Sequence, residues 1–439
     1  MMYTDPELLE MAKKIPSLLA PSLAEDWPEL PVVKAEGAYL YTADGRRYLD
    51  FTSGIAVTNV GHCHPRVVEA AIKQTEEMVH SAVGVTIHRS LIELCEELIK
   101  VLPPKMDMFF FGNSGAEAVE GALKLARYVS RRPGIVAFEG SFHGRSYGAA
   151  SVTSVKSKYR DHYEPFVPGI YFVPYPYAYR CPLGDTPEAA LEWTLLAIRR
   201  LFQHQIPPSQ VAAFLVEPIQ GEGGYIVPPP GFLKALRKIC DEHGIYLIVD
   251  EVQCGFGRTG KMFAAQLFDV QPDIMAIAKG IASGFPLGAT VASRKLMSQW
   301  KAGAHGTTFG GNPISCAAGV ATLRVMREEK LLENCRAMGA RFIEGLRALQ
   351  TKYPLIGDVR GAGLMLAIEM IVPGKEKQPN PEAAMQLLEL SLERGLLAYM
   401  AGTYGQVVRF IPPLIVTAEQ VDLALNILED GLSKIPASG

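Results

Sequence analysis

The amino-acid sequence predicts an α/β protein: a large domain on a mostly parallel sheet covered by helices, and a smaller α+β domain built from both chain ends. Three observations predict it. Through the middle of the chain, short apolar runs end abruptly in glycine-rich or polar turns and alternate with helical patterns. Near the N-terminus, "GAYLYTADGRRYLDF" reads as a hairpin turned at Asp44-Gly45. After about residue 320, long helical patterns lead to "GLMLAIEM" and "VVRFIPPLIVT", which read as strands.

The chain has 439 residues, 48% of them hydrophobic, enough to bury a core larger than one domain needs. The expected division is an N-terminal segment over 1–60 that joins the small domain, a large domain over 61–320, and the rest of the small domain over 321–439. Four runs outline the large sheet: "MDMFFFGNSG", "GIVAFEGSFHGR", "VAAFLVEPIQGEGG" and "IYLIVDEVQCGFG". Between the last two, Phe232, Leu233, Leu236, Ile239 and Cys240 mark one helical face, and Gly244 is placed to end that helix. Runs apolar on both faces imply a parallel sheet covered on both sides. A last helix opens at Thr417 with Gln420 three residues on, the spacing of a capping box. "YRDHYEPFVPGIYFVPYPYAYRCPLGD" and "PGKEKQPNPEAA" read as surface excursions.

Charge and cysteine usage narrow the function. With 43 Lys+Arg against 46 Asp+Glu and no block of like charge, nothing points to a nucleic-acid partner, and small zwitterionic ligands fit better. The seven cysteines are scattered with no C-x-x-C pair, as for free thiols in a reducing compartment. No basic start followed by an apolar stretch opens the chain, and no apolar run approaches the roughly 18 residues of a membrane helix, so a cytoplasmic protein without a membrane partner is expected. His62, Cys63 and His64 are adjacent without second-half partners, a poor zinc motif, and no metal is expected.

In an open parallel sheet, ligands bind beyond the carboxyl ends of the strands. After the first run, Ser114 and Glu117 have capping-box spacing and Gly115 admits close approach to the backbone; a phosphate cup and a merely well-capped helix are both open readings. After the second, Phe142 and Arg145 offer a stacking ring and a carboxylate-binding cation, or simple packing and surface charge. The third delivers Glu217 and Glu222. The fourth ends in Asp250, an acid directly after "YLIV" that calls for a cationic partner. Lys279 stands in "DIMAIAKGIASGFPLGA", where a buried ammonium is costly unless paired or condensed with an aldehyde. A lysine, an acid for a pyridinium nitrogen, a helix N-terminus for a phosphate and an aromatic to stack are together what pyridoxal 5'-phosphate requires.

On these residues the chain resembles the class III, fold-type I aminotransferases that use pyridoxal phosphate, from "GAYLYTADGRRYLDFTSGIAVTNVGHCHP" to "VVRFIPPLIVT". The resemblance implies that Lys279 carries the cofactor as a Schiff base and shuttles a proton, while Asp250 pairs with the ring nitrogen. Gln253 then approaches the ring hydroxyl, Phe142 stacks, and Ser114, Gly115 and Ala116 hold the phosphate. Glu222 is counted with this cofactor set. Thr308, in "HGTTFGGNP", would reach the phosphate of a neighbouring subunit, which implies a homodimer with shared sites. In the ω-amino acid branch, Arg145 would hold the distal carboxylate and Arg409 the α-carboxylate of the oxo acid, with Glu217 pairing with Arg409 when no α-carboxylate is bound. Ile55, in "SGIAVTN", resembles the apolar wall of 4-aminobutyrate enzymes.

The expected activity is therefore transfer of the terminal amino group of a 4-aminobutyrate-like ω-amino acid to 2-oxoglutarate. The alternatives are an amino-acid racemase or epimerase on the same scaffold, an ornithine-type or pyruvate-accepting transaminase, and a binding protein that has kept only the fold.

Overall fold

The computed structural model describes residues 3–23 and 30–436. The four apolar runs all form strands, and three more segments join them in one seven-stranded sheet. Its strands are β1 (Met108–Gly112), β2 (Gly134–Phe138), β3 (Ile170–Val173), β4 (Val211–Val216), β5 (Tyr246–Asp250), β6 (Ile274–Ile277) and β7 (Gly288–Ala292), in the order β1-β7-β6-β5-β4-β2-β3. The neighbours from β6 through β3 are parallel, and β7 runs antiparallel to β1 and β6. Alternate residues serve opposite faces: Val136, Phe214 and Val249 pack with Phe232, Leu236 and Cys240 on one side. Ile135, Ala213 and Ile248 pack with Val119, Ala122 and Leu125 on the other. Both faces are thus buried, which is why these strands read as unbroken apolar runs.

Strand β3 corrects the reading of the tyrosine- and proline-rich stretch as an excursion. The run Ile170-Tyr171-Phe172-Val173 has strong β preference and sits at the sheet edge, where the proline that follows it costs no ladder bond. In the second supposed excursion, Asn380 caps a helix over Pro381–Glu393 by accepting from the Ala383 N–H.

The chain ends interleave. The expected hairpin pairs Tyr39–Thr42 with Arg47–Asp50 and gains an unexpected third strand, Val32–Glu36. Leu396–Leu397 adds to it in parallel beside Leu49 and Asp50. A second four-stranded sheet holds Ile356–Ala362, Met365–Met370, Val407–Phe410 and Tyr399–Ala401. The "VVRFIPPLIVT" strand stops at Phe410, because Pro412 and Pro413 have no N–H to continue the ladder. Helices Phe232–His243, ended by left-handed Gly244, and Ala418–Lys434, opened by a Thr417/Gln420 capping box, form as the sequence predicts.

Candidate active site

Asp250 closes β5, and its carboxylate takes two hydrogen bonds: from the Val252 N–H at 2.9 Å and from His143 Nδ1 at 2.7 Å. His143 is fully enclosed and supplies the partner that the position of Asp250 demands. It was absent from the expected site residues. Its position in "SFHGR", one residue after the proposed stacking ring, was the available signal.

Several of the predicted cofactor residues come together around this pair. Helix Gly115–Ser130 begins against the Asp250 turn: a Cβ on Gly115 would lie 2.6 Å from Val252. Ser114 Oγ accepts from the Glu117 N–H at 3.2 Å, while the Glu117 carboxylate reaches back to the Asn113 N–H at 2.9 Å. A Cβ on Gly288 would meet the Ser114 carbonyl at 2.3 Å, so only glycine lets β7 pass so close to the helix start. Ala116 packs against Gly144, beside His143, and Gln253 packs against Gly221 with its Oε1 buried and without a hydrogen-bond partner among the described residues.

Lys279 enters at the end of β6. Its backbone has φ 50°, a left-handed value unusual for a non-glycine residue. Burial lowers its ammonium from the ordinary lysine range, with Arg409 adding to the effect and Glu222, Asp250 and Glu217 opposing it. Lys279, both glutamates, Asp250 and Arg409 therefore share one electrostatic environment.

Two corrections concern the acids. Arg409 is fully buried on Val407–Phe410, and its Nη2 lies 2.7 Å from Glu222 Oε1, so the carboxylate paired with it is Glu222 and not Glu217. Glu222, grouped with the cofactor residues, belongs at the arginine end of the cleft. Glu217 follows the last residue of β4, and its two oxygens accept from the Phe142 N–H at 3.0 Å and the Gly221 N–H at 2.9 Å. Burial pushes its carboxyl up to about 7.

Arg145 is exposed, with its guanidinium 4.1 Å from the centre of the Tyr159 ring and 5.9 Å from that of Phe142. Thr308 is exposed on its loop. Ile55 stands in a left-handed turn: Ser53, Gly54, Ile55 and Ala56 have φ of 49°, 60°, 66° and 62°. Such a run costs roughly 1–2 kcal/mol per non-glycine residue. It is held by Asp50, which accepts from the Thr52 and Ser53 N–H groups, and by Ser53 Oγ, which donates to the Ile411 carbonyl at 2.5 Å. His62 Nε2, 2.7 Å from Asp50, anchors the same turn, and His64 faces Glu329 at 3.1 Å.

A carboxylate held at a strand end, a half-buried lysine, a glycine-lined helix start and an orphaned amide oxygen fit the needs of pyridoxal phosphate. The chain belongs to the class III aminotransferases, whose family pattern it matches over residues 22–432. It is a fold-type I enzyme, and its cofactor is pyridoxal 5'-phosphate. The chain is 38% identical over 401 residues to a probable 4-aminobutyrate aminotransferase of Bacillus subtilis, covering 91% of this chain and 92% of that protein. It is 36% identical over 429 residues to an alanine/serine racemase of Pyrococcus horikoshii, covering 96% and 89%. The solved taurine:2-oxoglutarate aminotransferase of Bifidobacterium kashiwanohense, in complex with pyridoxal phosphate and glutamate, superimposes with a TM-score of 0.91 at 31% identity, covering 97% of each chain. Among the described residues no helix is long and apolar enough to cross a membrane.

Proposed function

We propose that this aminotransferase moves the terminal amino group of a 4-aminobutyrate-like ω-amino acid to 2-oxoglutarate. The observation that carries the reading is the Arg409–Glu222 pair in the cleft that Lys279 enters. One pocket must accept two substrates in turn. An ω-amino acid has no carboxylate beside its reacting amine, whereas the oxo acid has one, and a buried guanidinium left without a counter-charge is strongly unfavourable. Glu222 supplies that charge in the first half-reaction, and the α-carboxylate displaces it in the second.

When bound, the cofactor supplies an electron-accepting ring that stabilises negative charge at the carbon bearing the amine. Asp250, kept in place by His143, would face the ring nitrogen. Phe142 would cover the ring, Gln253 Oε1 would accept from the ring hydroxyl, and Ser114, Gly115 and Ala116 would hold the phosphate. The lowered basicity of Lys279 suits an amine that takes a proton from substrate carbon and returns it. Arg145 would bind the distal carboxylate, with Ile55 as an apolar wall along the substrate chain.

Thr308 has its role in a homodimer, completing the neighbouring subunit's phosphate site. Support comes from exposed apolar side chains beside it, Val79, Val85, Ile87 and Phe309. A cytoplasmic address belongs to the same reading and accords with seven free cysteines.

The test is a half-reaction. Enzyme loaded with cofactor is mixed separately with 4-aminobutyrate, ornithine, β-alanine and an α-amino acid while the visible absorbance of the cofactor is followed. Loss of absorbance with a simple ω-amino acid and recovery on adding 2-oxoglutarate are expected. Recovery with pyruvate alone would replace the acceptor. Exchange of an amino acid's α-proton with solvent, without loss of absorbance, would replace transamination by isomerisation, the activity named for the Pyrococcus relative.

A further inference from the structure

Arg145 stands on a short stretch of chain that is tied down on both sides. Before it, the Phe142 N–H donates to Glu217 and the His143 N–H donates to Thr153 Oγ1 at 2.9 Å. After it, Glu120 of helix Gly115–Ser130 holds the start of a short helix, Tyr147–Ser151. Glu120 Oε1 takes three hydrogen bonds there: from Ser146 Oγ at 2.7 Å, from the Gly148 N–H at 2.8 Å and from the Ala149 N–H at 3.3 Å.

The arrangement is unusual for a helix start. Ser146 occupies the N-cap position, yet its own side chain makes no capping bond to the helix. A carboxylate from another helix does so instead, and a carboxylate is a stronger acceptor than a hydroxyl. The fit is close: a Cβ on Gly148 would lie 2.1 Å from Glu120 Oε2, so a side chain there would push the carboxylate off the cap. Glu120 also belongs to the helix capped by Ser114, where the proposed phosphate cup lies. One rigid element therefore links that cup to the residue after Arg145. The Arg145 guanidinium lies 5.9 Å from the centre of Phe142, the ring proposed to cover the cofactor.

We propose that Glu120 is a positioning residue for Arg145, fixing the backbone from which that side chain departs and so setting the preference for amines that carry a distal carboxylate. The inference rests on the role proposed above for Arg145. An exposed arginine has many rotamers, and freeing its backbone adds orientations that miss the carboxylate. Chemistry at the amine is spared, because His143 keeps its own ties to Thr153 and Asp250.

The test compares 4-aminobutyrate with butylamine, which has a methyl group in place of the carboxylate, in half-reactions of the holoenzyme. The half-saturating concentration and the limiting rate of absorbance loss are read separately. Butylamine is also titrated as a competitor of 4-aminobutyrate, so that its affinity is measured whatever its rate. Glu120→Ala is expected to raise half-saturating 4-aminobutyrate about tenfold, with its limiting rate and the affinity for butylamine each changed less than about twofold. Glu120→Gln keeps an oxygen for the same donors and should recover most of the loss. Ser146→Ala removes one exposed hydrogen bond and should show the same pattern at about threefold, a check that needs no change at Glu120 itself. Equal losses for the two amines would mean that these contacts serve the fold alone, and the proposal would fall; unchanged affinity for 4-aminobutyrate would also overturn it. Arg145→Met separates the proposal from the reading beneath it. If Arg145→Met removes the preference for 4-aminobutyrate while Glu120→Ala retains it, Glu120 positions nothing and the assignment of Arg145 stands. If Arg145→Met retains the preference as well, the assignment of Arg145 falls and this inference falls with it.

Discussion

Arg409 Nη2 and Glu222 Oε1 lie 2.7 Å apart in a pair whose arginine is fully buried, beneath the Tyr399 ring 5.0 Å away. Removing the acid leaves a buried charge uncompensated only while no substrate carboxylate replaces it. Glu222→Ala is therefore expected to slow the ω-amino acid half-reaction by about 10- to 100-fold and the 2-oxoglutarate half-reaction by less than about threefold. Single-turnover rates for each half, taken separately, check this. Equal slowing of both would remove the exchange mechanism.

His143 and Asp250 form the second relationship with a kinetic consequence. A hydrogen bond to a charged carboxylate is worth about 1.5–3 kcal/mol, so His143→Leu is expected to lower turnover by about 10- to 100-fold. It should also speed loss of cofactor on dilution. His143→Asn places an amide nitrogen near the Nδ1 position and should recover part of both. If the leucine and asparagine variants behave alike, the 2.7 Å contact does not position Asp250.

Lys279 and Asp250 were legible because chemistry forces each into a setting that sequence patterns mark as costly: an ammonium inside an apolar run, an acid after four apolar residues. The four main strands were legible for the complementary reason, being apolar on both faces. Which glutamate meets Arg409 was not. Glu217 and Glu222 are five residues apart, and Glu222 sits in a turn closed by the Gln220–Ile226 bridge, whose returning limb runs through Gly224 at φ 116° and Tyr225 at φ 55°, values that no spacing rule supplies. Strand β3 was hidden by its tyrosine and proline flanks. The left-handed turn at Ile55 ran against the residue's own preference, and it exists because Asp50 and the Ile411 carbonyl, distant in sequence, hold it.

Glu251 gives a pH prediction separate from catalysis. It is completely buried; desolvation pushes its carboxyl up to about 7, while the Ala265 and Ala264 N–H groups hold it down and Asp250 adds to the rise. The folded state thus keeps a proton that the unfolded chain releases near pH 4.5. Stability from this group is fully present below about pH 4.5 and is lost as pH rises through about 7. Glu251→Gln removes the titration, at a pH-independent cost, because its amide nitrogen cannot accept from one of the two N–H groups of Ala264 and Ala265. Relative to wild type, the variant should gain about 3 kcal/mol between pH 5 and pH 8. Urea unfolding at the two pH values checks this; a parallel response of both proteins would contradict it.

Arg258 is the last test, and it links stability to the site. The side chain is fully buried without an ion pair among the described residues: Nη2 donates to Asn59 Oδ1 at 2.7 Å, and Nη1 donates to the Leu364 carbonyl at 3.3 Å and to that of Pro412. Burial lowers its guanidinium to about 10. Three chain segments far apart in sequence therefore converge on one cation, and a Cβ on Gly280 would lie 2.4 Å from Asn59 Nδ2, so the cluster also backs the residue after Lys279. Lysine keeps the charge but has no planar fork to reach all three acceptors. Arg258→Lys is expected to cost about 2–4 kcal/mol through carbonyls left unsatisfied, and Arg258→Leu at least as much. Turnover should fall about tenfold or more in whatever protein remains folded, because Lys279 loses its backing. Thermal midpoints and initial rates measured on the same preparations decide it. A leucine variant with the wild-type midpoint would show that the carbonyls find other donors and that Arg258 fixes nothing near Lys279.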